Sequence, residues 1–233
     1  MSIALLTDVR RLAFTVSVDT KYIDFYANEL VEQYPVLKGI EGQFKEAATL
    51  LIETFAAGKK LLICGNGGSA SDAEHIVGEL MKGFCSKRPL PQDIQKKIAA
   101  AAPDLGAHIA ASLQCAYPAI ALVCHTSLNT AFSNDVDASL IYAQQVLGYG
   151  TAGDVLIGIS TSGNSKNVIA AAITAKALDL KVIALTGKTG GKLASYCDIL
   201  LNANETETYK IQELHLPIYH RLCLAVERTL TPY

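Results

Sequence analysis

Charge is scarce in this sequence. Asp, Glu, Lys and Arg make up 18% of its 233 residues, against roughly 25% in an average soluble domain. So few charges point to surface covered by sister subunits. The net charge of -2 leaves no electrostatic footprint for nucleic acid, and none is expected as a partner. Six cysteines are present, yet none forms a C-x-x-C pair, which excludes a zinc ribbon and a thioredoxin-type motif. They are expected to be free, mostly buried thiols in a reducing cytoplasm. Ser2 to Phe14 begins apolar, but Asp8, Arg10 and Arg11 interrupt it, so it does not read as a signal peptide. Leu105 to Cys124 carries no formal charge. His108, Gln114 and Pro118 break it, and a helix-like half precedes a strand-like half, so the stretch reads as buried core rather than a membrane span. There are no repeats and no low-complexity segments. Half of the residues are hydrophobic, enough for a sizeable core, which rules out a disordered chain.

Residues 18–58 read as two helices separated by Pro35. The second carries Leu37, Ile40, Phe44, Ala48, Leu51, Ile52 and Phe55 at spacings of three and four, one apolar face. Preceding the first strand, these helices are expected to form an N-terminal helical arm over 1–58, outside the sheet and available for oligomerisation. From Lys60 the pattern changes. Leu61 to Cys64, Ala119 to Val123, Val155 to Ile159, Val182 to Leu185 and, more weakly, Ile199 to Leu201 read as strands. Helical segments near 69–84, 106–116, 136–147 and 164–178 lie between them. Strands apolar on both faces, alternating with helices, predict an α/β fold: a three-layer parallel sheet flanked by helices, over 59–233. Residues 85–104, with Pro89, Pro91 and Pro103, read as an inserted excursion. A last helix over about 206–230 contains Pro217, which is expected to kink or disrupt it.

Two loops carry chemistry. The first strand runs into Gly65-Asn66-Gly67-Gly68-Ser69, the third into Ser160-Thr161-Ser162-Gly163-Asn164-Ser165, and each is followed by a helix. Both therefore lie at carboxyl ends of parallel strands, where open α/β sheets bind ligands. Glycine lets the backbone approach a ligand, and the helix start offers free N–H groups to an anion. Such turns also serve purely as structure. Four hydroxyls over six residues at one helix start, however, exceed what capping needs. No Walker G-K-[ST] and no Rossmann-type G-x-G-x-x-G is present, so a sugar phosphate fits better than a nucleotide.

His75 and Glu79 stand four apart on the helix after the first loop, on one face. Gln212, His215 and His220 come late in the chain. Imidazole, carboxylate and amide oxygen can together hold a divalent ion such as zinc. The same spacing also suits an exposed polar pair.

Taken in order, Gly65 to Ser69, Asp72-Ala73-Glu74-His75 with Glu79, Asn134-Asp135, Gly158 to Ser165, Leu185-Thr186-Gly187, and Gln212 to His215 with His220 resemble the sugar isomerase (SIS) domain family, over roughly residues 37–230. Within it they are similar to the phosphoheptose isomerases. Residues 85–115 run longer than the family pattern. The resemblance implies a flavodoxin-like fold, a homotetramer with interfacial active sites, one Zn²⁺ per subunit, and conversion of sedoheptulose 7-phosphate to D-glycero-D-manno-heptose 7-phosphate through an enediol. It implies substrate contacts from Asn66, Gly67, Gly68, Asn134, Asp135, Ser160, Thr161, Ser162, Ser165 and Gln212. It implies zinc ligation by His75, Glu79, Gln212 and His220, with Glu79 and His220 as the acid/base pair. Members of such families also include isomerases of other sugar phosphates and non-catalytic adaptors that bind the replication initiator DnaA. The full four-residue set favours the enzyme.

Overall fold

The computed structural model describes residues 20–231. The apolar start at Ser2 to Phe14 and the first part of the expected arm lie outside the described residues. Five strands, β1 (Leu61–Cys64), β2 (Ala119–Ala121), β3 (Val155–Ser160), β4 (Lys181–Thr186) and β5 (Ile199–Asn202), form one sheet. Its order is β2-β1-β3-β4-β5, and every pairing is parallel. This is the flavodoxin-like order, in which the chain changes direction between β1 and β3.

Side chains of a strand point alternately to its two faces, and the core divides accordingly. Leu61, Ile63, Ile157, Ile183 and Leu185 face one apolar layer, together with Phe44, Ile52, Ile76, Leu80, Ile218 and Leu222. Leu62, Cys64, Leu156, Val182 and Ala184 face the other, with Tyr142, Val146, Val168 and Ala172. The first layer is built by helices α1 (Lys21–Gln33), α2 (Glu41–Ala56), α3 (Gly68–Met81) and α9 (Thr208–Leu230), the second by α7 (Ile141–Tyr149) and α8 (Lys166–Ala177). Cutting Ile157, central in the sheet, to alanine should cost about 2–5 kcal/mol.

Helices α1 and α2, joined by a 3₁₀ turn at Pro35–Ile40, both pack on α9, and α2 also meets β5. Ile23, Tyr26 and Leu30 share one cluster with the strand residues. Helix α9 runs unbroken through Pro217, so the expected disruption is absent. Ile211, His215, Ile218, Leu222 and Val226 form a buried stripe at spacings of three and four. Packing on α1, α2 and α3 outweighs the ~3 kcal/mol that an interior proline costs a helix.

The excursion contains α4 (Gln92–Ala101), which packs mainly on α5 (Gly106–Ser112), the helix expected near 106–116. The helical half of the uncharged stretch is therefore not core: Leu105 is 62% and Leu113 50% exposed, while Ala119 and Ala121 of β2 are buried. The root of the excursion is held by Glu227. Its carboxylate accepts from the amides of Phe84, Cys85 and Ser86 at 2.8, 2.8 and 3.1 Å and lies 3.5 Å from Arg88 Nε. Helix α6 (Thr126–Phe132) had no counterpart among the expected helices. A π turn at Ser133–Asp137 and a 3₁₀ turn at Ala138–Leu140 occupy the start of the expected 136–147 helix. None of the six cysteines forms a disulfide among the described residues, and only Cys64 and Cys223 are buried. Among the described residues no helix is long and apolar enough to cross a membrane.

Candidate active site

The loops after β1 and β3 meet at the point where the sheet changes direction. Gly67, at φ +57° and ψ -124°, takes a backbone conformation that side chains with a Cβ avoid. Gly68 opens α3 with the Gln212 amide against it: a Cβ there would lie 2.5 Å from Gln212 Nε2. On the other loop Ser160 Oγ and Ser165 Oγ are 3.0 Å apart, and Ser165 precedes α8 without spending its hydroxyl on a cap. Asn66, Gly67, Gly68, Ser69, Ile159, Ser160, Thr161, Ser165, Thr208 and Gln212 line an open pocket of about 390 Å³. It joins two helix N-termini, with their free N–H groups, to several hydroxyl and amide donors, a composition suited to a phosphoryl oxygen.

Seven of the ten residues expected to bind substrate line this pocket. Ser162 does not: its hydroxyl accepts from the Asn164 amide at 3.1 Å, and the residue is exposed. Asn134 and Asp135 stand on the exposed π turn, where Asn134 Nδ2 donates to Asp135 Oδ1 at 2.8 Å. Sequence reasoning missed Asn167, which ties the two loops together. Two further hydroxyl residues of the lining were not among the expected substrate contacts: Ser69, which closes the first loop, and Thr208, four residues before Gln212.

A second polar centre lies farther along α3. Nitrogen and oxygen atoms of His75, Glu79 and His220 all fall within 4.8 Å of one another. His75 Nε2 is 3.2 Å from Glu79 Oε1 and 3.4 Å from His220 Nε2. Two ligands about 2.0–2.2 Å from a tetrahedral ion stand about 3.3–3.5 Å apart, so these three groups fit a divalent ion. Lys82 Nζ lies 3.3 Å from the other Glu79 oxygen. Burial, reinforced by His75, lowers the His220 pKa and favours its neutral, ligating form. Gln212 is not beside this cluster. Eight residues of helix place it about 12 Å from His220 along the axis of α9, against Gly68.

Behind the cluster, Tyr219 Oη is 2.9 Å from His75 Nδ1 and 3.2 Å from Asp72 Oδ1. Burial pushes the Tyr219 phenol well above its usual range, with Asp72 adding to the shift, and burial also raises Asp72. His215 faces away, fully buried, with Nε2 3.2 Å from the Thr186 carbonyl. Desolvation drives its pKa down to about 4, so it is a neutral core histidine.

A flavodoxin-like sheet, a polar pocket at its switch point and a histidine–carboxylate group under two turns farther along α3 agree with a sugar isomerase domain. The chain belongs to the SIS domain family, whose model matches residues 24–102 and 98–187. A phosphoheptose isomerase of Shewanella frigidimarina is 34% identical over 212 residues, 90% of this chain and 94% of that protein. One from Desulfovibrio desulfuricans is 38% identical over 187 residues, 77% of each. Among solved structures, the phosphoheptose isomerase of Neisseria gonorrhoeae superposes with a TM-score of 0.66 at 34% identity, covering 88% of this chain and 92% of that one.

Proposed function

We propose that this chain is an aldose–ketose isomerase that interconverts sedoheptulose 7-phosphate and D-glycero-D-manno-heptose 7-phosphate. The observation that carries the reading is the spacing of two polar centres on one helix. Ser69, at the pocket, and His75, at the cluster, are six residues apart on α3, about 9 Å of helix. An open-chain heptose phosphate spans roughly 8–9 Å from C2 to its phosphorus, given C–C bonds of ~1.5 Å. A phosphate held by Ser160, Thr161, Ser165 and the Gly67–Gly68 backbone would leave C1 and C2 beside Glu79 and His220. The names of the relatives agree with a seven-carbon substrate.

The reaction moves a proton between C1 and C2. Glu79 is assigned as the base that takes it and returns it, and His220 as the group that exchanges a proton with the sugar oxygens. His75, Glu79 and His220 would hold a divalent ion such as zinc, which would supply carbonyl polarisation and charge stabilisation at the sugar oxygen. Gln212 is assigned to substrate; to act as a fourth ligand within the same chain it must swing away from Gly68. Ser162, Asn134 and Asp135 are assigned to the substrate's rim, reached on closure or across a subunit contact. Exposed Val136, Leu147 and Leu105, 64, 57 and 62% accessible, support a homotetramer, and six cysteines in thiol form agree with a cytoplasmic location.

Incubation with C5 to C7 ketose phosphates, with and without chelator, followed by NMR detection of the aldose, tests the proposal. Turnover of the seven-carbon substrate, lost on chelation, supports it. Turnover of only the shorter sugars assigns another substrate, and no turnover of any leaves a binding protein.

A further inference from the structure

We infer that Tyr219 and Asp72 are positioning residues that fix the proton of His75 on Nδ1 and so present its Nε2 lone pair to the metal. The inference rests on the three-ligand centre proposed above and adds the device that prepares it. A phenol has one proton to donate and lone pairs to accept with. Tyr219 Oη lies between two partners, Asp72 Oδ1 at 3.2 Å and His75 Nδ1 at 2.9 Å. Ionised Asp72 can only accept. The phenol proton therefore goes to Asp72, and Tyr219 must accept from His75. That requires the Nδ1–H tautomer, which leaves Nε2 unprotonated.

The surroundings hold this arrangement. Tyr219 is 2% exposed, so water does not compete for its hydroxyl. Its ring meets those of His75 and His220 edge-on, with centroids 5.4 and 5.1 Å apart, which restricts rotation of both imidazoles. Asp72 Oδ2 is buried without a hydrogen-bond partner among the described residues, so Tyr219 is the side chain that satisfies this carboxylate. On the far side, His75 Nε2 faces Glu79 Oε1 at 3.2 Å. A lone pair aimed at a carboxylate oxygen is repulsive unless a cation stands between them. The relay thus makes the centre hungry for a positive ion before one arrives. Orienting groups of this kind raise ligand basicity and lock ring direction. Asp72 and His75 are three apart on α3 and Tyr219 comes from α9, so the packing of these two helices assembles the device.

Zinc affinity and the His75 tautomer test it together. Tyr219→Phe keeps the ring and removes the acceptor, and should weaken zinc binding about 10–100-fold in competition with a chromophoric chelator. Asp72→Asn should act in the same direction, because an amide can donate to Tyr219 and release the phenol proton toward His75. Long-range ¹H–¹⁵N spectra of the metal-free protein should show His75 as Nδ1–H, and the two variants should lose that preference. Wild-type zinc affinity in both variants overturns the inference, as does an Nε2–H tautomer in the parent protein. Failure of the parent protein to bind zinc would instead remove the metal centre, and the tautomer spectra would still decide the relay. If Tyr219→Phe does not fold, Asp72→Asn carries both measurements.

Discussion

Asn66 and Asn167, 101 residues apart, exchange two side-chain hydrogen bonds, each amide donating to the other's oxygen at 2.9 Å. The pair clasps the β1 loop to the start of α8, so both walls of the pocket move as one. Asn167 Oδ1 also accepts from the Val168 amide at 3.0 Å, which fixes its orientation. Asn167→Asp removes one donor and adds negative charge at a helix N-terminus facing a phosphate. The expected result is a KM raised tenfold or more with a smaller change in kcat, read by steady-state kinetics. An unchanged KM would show that the clasp does not shape the pocket.

The hydroxyls of the β3 loop should be unequal. Ser165→Ala should weaken sugar-phosphate binding by about 1.5–3 kcal/mol, the range for a hydrogen bond to a charged group. Ser162→Ala should weaken it less, since that hydroxyl already serves Asn164. Calorimetry on both variants checks the order, and equal losses would move Ser162 into direct contact with phosphate.

Glu79→Gln should fold and bind substrate normally while losing about 10²–10⁴-fold in turnover, because an amide cannot take the C1 or C2 proton. His220→Gln should lower metal content as well as turnover. Full activity of Glu79→Gln would end its role as base.

His215 makes stability depend on pH. Its folded pKa of about 4 lies below the ordinary value of 6.5, so the unfolded chain binds the proton more readily. Stability from this group is complete above about 6.5, falls between 6.5 and 4, and levels off below. The slope in that window is at most about 1.4 kcal/mol per pH unit. His215→Gln can still donate to Thr186 and should flatten it in urea titrations across pH 4–7. The same slope in both proteins would place the titrating group elsewhere.

The assembly is expected to be a homotetramer. Light scattering at micromolar concentration should give four times the mass of one chain. A monomer would leave the exposed apolar residues without the cover proposed for them.

Local pattern by itself determined the sheet. β1 and β3 are short apolar runs buried on both faces and the other three strands are largely apolar and buried, so β1 through β5 fall where composition alone places them. The two glycine–serine loops were equally legible, because backbone approach to an anion demands glycine and hydroxyl at fixed positions after a strand. His75 and Glu79 were readable as a pair from helical periodicity. Tertiary structure decided what depends on neighbours distant in the chain. Pro217 is carried inside an unbroken helix because three other helices pack around α9. Leu105 and Leu113 of the uncharged stretch lie exposed because α5 packs mainly on α4 rather than on the sheet. Tyr219 and Asp72 look like ordinary helix residues until α3 and α9 are packed together. Their role arises from distances of about 3 Å across a helix–helix contact, and no spacing within one segment encodes that contact.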